Sequence, residues 1–284
     1  HRDLHSFPTR RSSDLENVRF CRILLEGYAA FDDLSYYQMT VDLMNDILPL
    51  CSEYMLIPPE ILIYIPKDTP TPDFEATPTP KPTLEPTAGP DDIKEKLNAV
   101  EISRIDLYAL KLLSGIDPAW EDIYDNSLKI VKGSLMEHPG PFFCEAYYPD
   151  SNGYTAYITG DMLFSIQRQL RTALYLAEAG YFPESSYAYF KEILINQRAF
   201  YSGYSVLTGS AATGSESISA YAYMARLARI KGDKSVYDIC TGRIFWNTAD
   251  SYTSKIFGLT FTESSDGSII ADSTDSVLSL KALY

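Results

Sequence analysis

One acidic residue stands where a side chain could act on a bound ligand. In TGSESISAYAYMARLARIKGD, residues 213–233, Glu216 lies where a Gly- and Ser-rich loop enters a predicted helix. A carboxylate at such a helix start can exchange a proton with a ligand or orient it by hydrogen bonds. The alternative is purely structural, because the helix dipole favours an acidic residue in the first turn of any helix.

A second acidic group lies in DGSIIADSTDSVLSLKAL, residues 266–283. Asp272 and Asp275 both stand near the start of another predicted helix. A carboxylate at such a position either contacts a ligand or only caps the helix. Acid–base chemistry uses one group that gives a proton and one that takes it, so these two segments are the first candidates for a site.

The first 15 residues, HRDLHSFPTRRSSDL, do not fit a targeting signal. They lack the apolar core of a secretory signal, and Asp3 and Asp14 interrupt what would otherwise be a basic transit peptide. Back-translation of the stretch gives the common adapter oligonucleotide of short-read sequencing libraries. We therefore interpret residues 1–15 as a non-native scar, with a genuine basic arm as the alternative. The chain also stops within an apolar helical pattern, SVLSLKALY, so we expect truncation at both ends.

Histidine and cysteine usage narrows the possible chemistry. Without the scar, His138 is the only histidine, and next to Pro139 it is predicted to be a turn residue. The four cysteines are far apart and form no CxxC pair: Cys21, Cys51, Cys144 and Cys240. Structural zinc is therefore not expected, and buried thiols and disulfides both stay open. We predict no metal and no cofactor, so carboxylates and tyrosines must carry any chemistry.

The charge balance excludes two classes of partner. The chain has a net charge of −14, and removing the scar with its three arginines and two aspartates makes it −15. Nucleic acids and anionic membranes both require clustered Lys and Arg, so neither is expected as a partner. No run of 18 apolar residues occurs, so no membrane span is predicted. The sequence does not indicate the oligomeric state.

Pairs of helices joined by tight turns recur along the chain. Apolar residues at three- and four-residue spacing mark a helix within DMLFSIQRQLRTALYLAEAG: Leu163, Ile166, Leu170, Leu174 and Ala177. Gly180 is predicted to end this helix, and Gly115 and Gly232 to end two others. The partner helices then begin at Asp117 with Pro118, near Pro183 and at Asp233. Each unit therefore predicts a helical hairpin.

The hairpin units predict the fold class. A single helical hairpin cannot bury its apolar face alone, so such units stack or close into a ring. Their spacing exceeds the 34 residues of a tetratricopeptide unit. We therefore predict an all-α fold of helical hairpins forming an incomplete (α/α)6-type toroid, with about nine helices. The turn sequences DSNG and SSDG predict short strands in the loops.

A Pro- and Thr-rich segment divides the chain. Residues 66–90, PKDTPTPDFEATPTPKPTLEPTAGP, contain eight prolines and six threonines and have no apolar period. Such a segment is expected to be a disordered or polyproline-like linker. Residues 16–65 would then be one or more helical hairpins, either part of the toroid or a separate segment, and residues 91–284 the toroid. The alternative is a long insert within one domain.

The C-terminal segments resemble the six-hairpin glycosidases, and most nearly family 8 of the glycoside hydrolases. In that family a Ser-Glu-Gly loop enters a Tyr-containing inner helix and supplies the general acid. Ser215 and Glu216 match this loop, Ser217 stands where glycine is usual, and Tyr221 lies in the helix that follows. DGSIIADSTDSVLSLKAL resembles the family's Asp-x-Asp segment, with Asp275 matching one aspartate and Ser273 replacing the other.

The resemblance implies a mechanism and a substrate class. Glu216 would be the general acid, Asp275 and Asp272 would position the sugar, and the catalytic base would lie beyond residue 284. Hydrolysis of a glycosidic bond needs an acid for the leaving oxygen and a second carboxylate for the water or the anomeric carbon. Sugars also bind to aromatic rings, and we expect Tyr204, Tyr221 and Trp246 to provide them.

The sequence therefore predicts a protein related to glycoside hydrolases that acts on a polysaccharide or oligosaccharide. The alternative is a non-catalytic α/α module that binds carbohydrate or protein through its Tyr-rich loops. Thr-Pro linkers are typical of secreted and cell-surface bacterial proteins, so we expect an extracellular or cell-surface location.

Overall fold

The computed structural model describes residues 14–51, 60–65, 93–158, 162–263, 269–271 and 273–283. Nine α-helices lie within these ranges: α1 Asp14–Phe31, α2 Leu34–Ile47, α3 Leu107–Ser114, α4 Glu121–Gly133, α5 Ile166–Glu178, α6 Glu184–Gln197, α7 Ile218–Lys231, α8 Lys234–Trp246 and α9 Ser273–Leu283. The strands are short: β1 Glu60–Ile65, β2 Ile93–Asn98, β3 Val100–Glu101, β4 Ala146–Tyr148, β5 Gly153–Thr155, β6 Leu163–Ser165, β7 Gly203–Ser205, β8 Phe261–Glu263 and β9 Ile269–Ala271.

The helices form an inner and an outer layer. Helix α7 is buried without interruption from Ile218 to Ala228, so it is enclosed on all sides. Helix α8 is buried along one face, as expected for an outer helix with its other face in solvent. Its buried residues are Val236, Cys240, Thr241 and Ile244. The inner helices pack in chain order: α1 on α3, α3 on α5, α5 on α7 and α7 on α9. The prediction of helical hairpins in a toroid-type, all-α fold is confirmed.

Two of the predicted glycine turns have the expected geometry. Gly180, just after α5, has a φ of +102°, and Gly232, just after α7, has a φ of +76°. At the first turn, Gly180 N donates to Ala177 O and Tyr181 N donates to Leu176 O, so the last carbonyls of α5 are satisfied. Gly115 differs, because its φ of −74° is right-handed and does not require glycine.

Asp233 joins the last two complete hairpins. Its Oδ1 accepts a hydrogen bond from Val236 N and caps α8, as predicted. Its Oδ2 accepts from Lys191 Nζ at 2.6 Å and from Tyr187 Oη at 3.1 Å, both on α6. The Lys191 ammonium lowers the pKa of the Asp233 carboxyl well below its usual range. One carboxylate therefore caps one helix and holds another.

We expect Asp233→Ala to lower the free energy of unfolding by about 1–2 kcal/mol, since it removes a helix cap and two charge-assisted or polar contacts. This loss of stability should be largest at a pH above the usual pKa of an aspartate. It should shrink as the pH falls through the lowered pKa that Asp233 has in the folded protein. Chemical denaturation at pH 7 and pH 3 measures it. Asp238→Ala is the control, because Asp238 is exposed on the helix that Asp233 caps, and its side chain forms an ion pair with Lys234 one turn away. Equal losses for the two variants would contradict this role.

One helix start differs from the prediction. Leu163 was expected in the apolar stripe of a helix, but residues 163–165 form strand β6, which pairs antiparallel with β7. Helix α5 begins only at Ile166. The reason is non-local, because Leu163 pairs with Ser205, a partner that local periodicity does not reveal.

The strands flanking the Pro- and Thr-rich segment pair with each other. Residues 16–65 were predicted to be helical, but β1 at their end is a strand, and it runs antiparallel to β2 with Ile65 opposite Ile93. The two ends of the intervening stretch are therefore close together. Residues 66–90 themselves lie outside the described residues.

The N-terminal helices belong to the same packed body. Arg22 of α1 contacts Asp106 at the start of α3 at 3.3 Å and Glu178 of α5 at 2.7 Å. Lys281 of α9 reaches Glu26 of α1 at 2.7 Å, which joins the last described helix to the first. Leu15, the last residue of the stretch interpreted as a scar, is buried in this core, while residues 1–13 lie outside the described part.

The remaining structural predictions concern the loop turns, the cysteines and membrane spans. The DSNG turn joins β4 and β5 as expected, and β8 pairs with β9 on either side of the SSDG segment, which lies outside the described residues. None of the four cysteines forms a disulfide, and Cys21 and Cys240 are buried. Within the described ranges, every helix is too short or too polar to cross a bilayer.

Candidate functional site

Helices α5 and α7 begin on the same side of the molecule. Ile166 N, at the start of α5, donates to Ser202 O at 3.3 Å, and Ser217 N, just before α7, donates to Phe200 O at 2.9 Å. The segment from Phe200 to Gly203 therefore holds both helix starts, and the β6–β7 pair lies beside it. We call this side, with the starts of α5 and α7, the N-terminal face.

Glu216 lies on this face as the sequence predicted. It precedes α7 and pairs in an isolated antiparallel bridge with Tyr201. Tyr221 Oη, one turn into α7, donates to Glu216 Oε2 at 2.5 Å, and Arg243 Nη1 lies 3.8 Å from Oε1. One third of the Glu216 side chain is exposed, at 33%. The carboxylate thus accepts one hydrogen bond, has a guanidinium nearby and still reaches solvent.

Tyr221 acts on Glu216 from within the core. The ring is fully buried, and its hydroxyl also accepts a hydrogen bond from Phe200 N at 3.1 Å. Burial and the contact with Glu216 raise the pKa of Tyr221 above its usual value, so the hydroxyl keeps its proton and donates it to the carboxylate. Tyr221 was expected to contact sugar; its geometry instead makes it a support for Glu216.

Arg243 ties Glu216 to the outer layer. It lies in the last turn of α8, and its Nη2 also donates to the carbonyl of Arg198, which follows α6 in a left-handed conformation with a φ of 57°. Glu216 therefore lies at the junction of α6, α7 and α8. This contact adds a positive charge on the outer side of the carboxylate.

A second carboxylate cluster lies beside the start of α5, and sequence reasoning missed it. Glu101 Oε1, at the end of β3, accepts from Arg171 Nη2 at 3.1 Å and from Ser103 Oγ at 2.5 Å. It also forms an ion pair with Arg168, whose Nε lies 3.3 Å away. The Glu101 side chain is 14% exposed and that of Arg168 31% exposed. The cluster therefore has access to solvent through Arg168 and the edge of Glu101.

Glu145 forms the buried end of this cluster. Its side chain is fully buried, its Oε2 accepts from Arg168 Nη1 at 2.9 Å, and its Oε1 accepts from Ser165 N at 2.7 Å. Burial raises the pKa of the Glu145 carboxyl to about 7, although Arg168 and the Ser165 amide oppose this shift. Carboxyls with shifted pKa values next to an arginine are a common feature of functional sites.

The sequence offered only a partial signal for this cluster. Arg168 and Arg171 stand three residues apart on α5, so a shared helix face is readable from their spacing. Glu101 ends strand β3 and Glu145 directly precedes strand β4, both far from α5 in sequence. The β3–β4 ladder brings them together by pairing Glu101 with Ala146. Only the tertiary fold reveals that the two acids share one arginine.

The predicted aromatic platforms differ in exposure. Tyr204 is fully buried in β7, stacks on Phe164 with 5.8 Å between ring centroids, and donates to Gln197 Oε1. Its ring has no open face, so the expectation that it contacts sugar is corrected: the pairing of β6 with β7 places it in the core. Trp246, at the end of α8, is 86% exposed and remains available to a ligand.

The predicted aspartates lie at the start of α9. Asp275 is half-buried in the first turn of this helix. Asp272 lies outside the described residues. Among the described residues, no three His, Cys, Asp or Glu side chains are grouped so as to hold a metal ion.

Comparisons with known proteins identify the fold. No protein-family model and no curated protein sequence matches the chain. Among solved structures, it is similar to a novel alpha-amylase from Clostridium perfringens, with a TM-score of 0.73 and 20% identity over 95% of this chain and 69% of that one. PssZ from Listeria monocytogenes gives 0.60 and 14% identity over 95% and 68% of the two chains.

A third match is an endo-1,4-D-glucanase from Vibrio fischeri, with a TM-score of 0.51 and 16% identity over 92% of this chain and 74% of that one. At these identities the similarity shows the fold alone. The chain therefore shares the helical-hairpin toroid fold of glycoside hydrolases of the six-hairpin type, as the sequence resemblance implied.

Proposed function

We propose that this chain belongs to a glycoside hydrolase that acts on a polysaccharide or oligosaccharide through carboxylate acid–base catalysis. The observation that carries the proposal is the pair of arginine-held carboxylates on the N-terminal face, Glu216 and Glu101. Both stay partly exposed, at 33% and 14% of their side chains. Solved proteins of the same fold include an alpha-amylase and an endo-1,4-D-glucanase, which supports a glycan as substrate.

Each carboxylate has a place in the proposed mechanism. Glu216 is the general acid that protonates the leaving oxygen, kept in position by Tyr221. Glu101 is a second functional carboxylate, supported by Arg168 and Arg171, that contacts the sugar from the side of α5. Asp275 and Asp272 position the sugar from the start of α9, and Trp246 offers an exposed ring for stacking. We further propose an extracellular or cell-surface location, where a polysaccharide substrate would be accessible to the protein.

The first experiment is an assay of the complete protein on three glycans. Soluble starch, a soluble β-1,4-glucan and xylo-oligosaccharides represent the substrates in the names of solved proteins with this fold. We expect reducing ends to appear with one of them. Binding without any release of reducing ends would favour the second candidate function.

That second candidate is a non-catalytic module that binds carbohydrate, and exposed aromatic rings favour it. Trp246 is 86% exposed and Tyr252 89%, and the Tyr252 ring packs against Phe257 at 4.6 Å between centroids. We expect Trp246→Ala to weaken glycan binding by about tenfold or more, because an aromatic anchor buries a large area against its ligand and its truncation typically costs about 2 kcal/mol or more.

Affinity electrophoresis in gels containing each glycan measures this loss. Phe245→Ala is the matched control, since Phe245 is 62% exposed on the neighbouring position of α8 and projects in another direction. Equal retardation of wild type and Trp246→Ala would remove Trp246 from the binding surface.

A further inference from the structure

The cluster at the start of α5 contains one acid that no substrate can reach. Glu145 is fully buried, whereas its neighbours Glu101 and Arg168 are partly exposed. A buried carboxyl costs free energy unless it has partners, and Glu145 has two: the Ser165 amide and the Arg168 guanidinium. Glu145 has no role in the hydrolysis proposed for this chain.

A continuous series of side-chain contacts leads from Glu145 to Glu101, which is partly exposed. Glu145 holds Arg168 through Nη1 at 2.9 Å, and the same guanidinium reaches Glu101 through Nε at 3.3 Å. Arg171 holds Glu101 from one turn further along α5, at 3.1 Å. A guanidinium is planar and rigid, so the orientation that Glu145 imposes on one edge fixes the other edge.

We propose that Glu145 is a positioning residue: through Arg168 it orients Glu101 toward the glycan, and its own ionisation determines the pH at which this orientation forms. The inference rests on the proposed function, because it assigns Glu101 to the glycan-binding surface. It adds a residue that touches no substrate and a pH dependence that the direct contacts do not contain.

The charges around Glu145 give the direction of the effect. Arg168 from α5 faces it as a cation, Glu101 from β3 as an anion, and Arg171 lies behind Glu101. Burial raises the pKa of Glu145 to about 7. Above this pH the carboxylate accepts from Arg168 and holds it; below it the carboxyl is neutral, and Arg168 loses its buried anionic partner.

The test is the affinity for a glycan as a function of pH. With maltoheptaose, cellopentaose and xylopentaose as probes, titration calorimetry from pH 5.5 to 8.5 should show a step of about tenfold centred near pH 7 in the wild type, tighter on the alkaline side. Glu145→Gln keeps the acceptor oxygen but not the charge. It should bind at all pH values as the wild type does at acid pH.

Arg168→Gln supplies the second variant in case Glu145→Gln does not fold. This variant should also lose the pH-dependent step in glycan affinity, because no guanidinium then contacts both Glu145 and Glu101. Glu121→Gln, an exposed acid in the first turn of α4, is the control and should keep the step. A step that persists in either Glu145→Gln or Arg168→Gln overturns the proposal.

Thermal melting separates this inference from the hydrolase proposal. Because the folded-state pKa of Glu145 is raised, its contribution to stability is present at acid pH and is lost as the pH rises through about 7. Glu145→Gln should therefore gain stability relative to wild type between pH 5 and pH 8. A pH step in binding without any turnover would refute hydrolysis and uphold Glu145, whereas turnover without the step would do the reverse.

Discussion

Glu216→Gln should reduce the release of reducing ends by about 10²–10⁴-fold while leaving glycan affinity within a few-fold of wild type. Glutamine keeps the acceptor for Tyr221 Oη, which lies 2.5 Å from the carboxylate, but it has no proton to give to a leaving oxygen. The loss should therefore fall on kcat rather than on KM. Initial rates over a range of glycan concentrations measure both.

Glu192→Gln provides the matched control for this variant. Glu192 is an exposed glutamate on α6 whose side chain accepts a hydrogen bond from Asn196, and its replacement should keep wild-type turnover. If Glu216→Gln turns over glycan at the wild-type rate and Glu101→Gln does not, the acid is Glu101. Tyr221→Phe offers an independent check, since it removes the donor from Glu216 without exposing the core and should lower kcat by a smaller factor.

Arg22→Ala should cause the largest loss of stability, about 3–5 kcal/mol, because it leaves the buried Asp106 without its ion-pair partner and removes one of the two cations that hold Glu178. Arg22 is 6% exposed and contacts Asp106 at 3.3 Å and Glu178 at 2.7 Å. Asp106 caps the start of α3, and Glu178 is the last residue of α5. Arg226 of α7 holds Glu178 from the other side. Three inner helices and the α3 cap therefore depend on one ion network.

Chemical denaturation of the purified variant measures this loss. Arg19→Ala is the control on the same helix: Arg19 is 30% exposed and pairs with Glu16 one turn away, so its removal should cost no more than about 1 kcal/mol. Arg22→Met, which keeps the length of the side chain, should be as damaging as Arg22→Ala. An Arg22→Ala protein as stable as Arg19→Ala would show that the network contributes little.

The periodic parts of the fold were predictable from sequence. Helix α7 and its glycine end at Gly232, and the cap at Asp233, follow local rules of spacing and backbone geometry. The two-residue break between α1 and α2 likewise follows from Asp32 and Asp33. In each case the residues that determine the structure are neighbours in the chain, so a local pattern is sufficient.

The site was only half predictable, because burial and long-range pairing decide it. Tyr204 looks like a loop tyrosine in sequence, but the pairing of β6 with β7 stacks it on Phe164 in the core. Glu101 and Glu145 are far apart in sequence and meet because β3 pairs with β4, and Arg168 contacts both of them. The position of Glu216 at a helix start is a local property, so the sequence placed it correctly.

The most direct test of the account is the rate of reducing-end release by the Glu101→Gln/Glu216→Gln double variant of the complete protein. The assay uses the glycan that the wild type hydrolyses and compares the double variant with both single variants and with Glu192→Gln. We expect the double variant to release no reducing ends above the uncatalysed rate, although it still folds and still binds the glycan. A double variant that hydrolyses the glycan at the wild-type rate would show that the chemistry lies elsewhere in the protein.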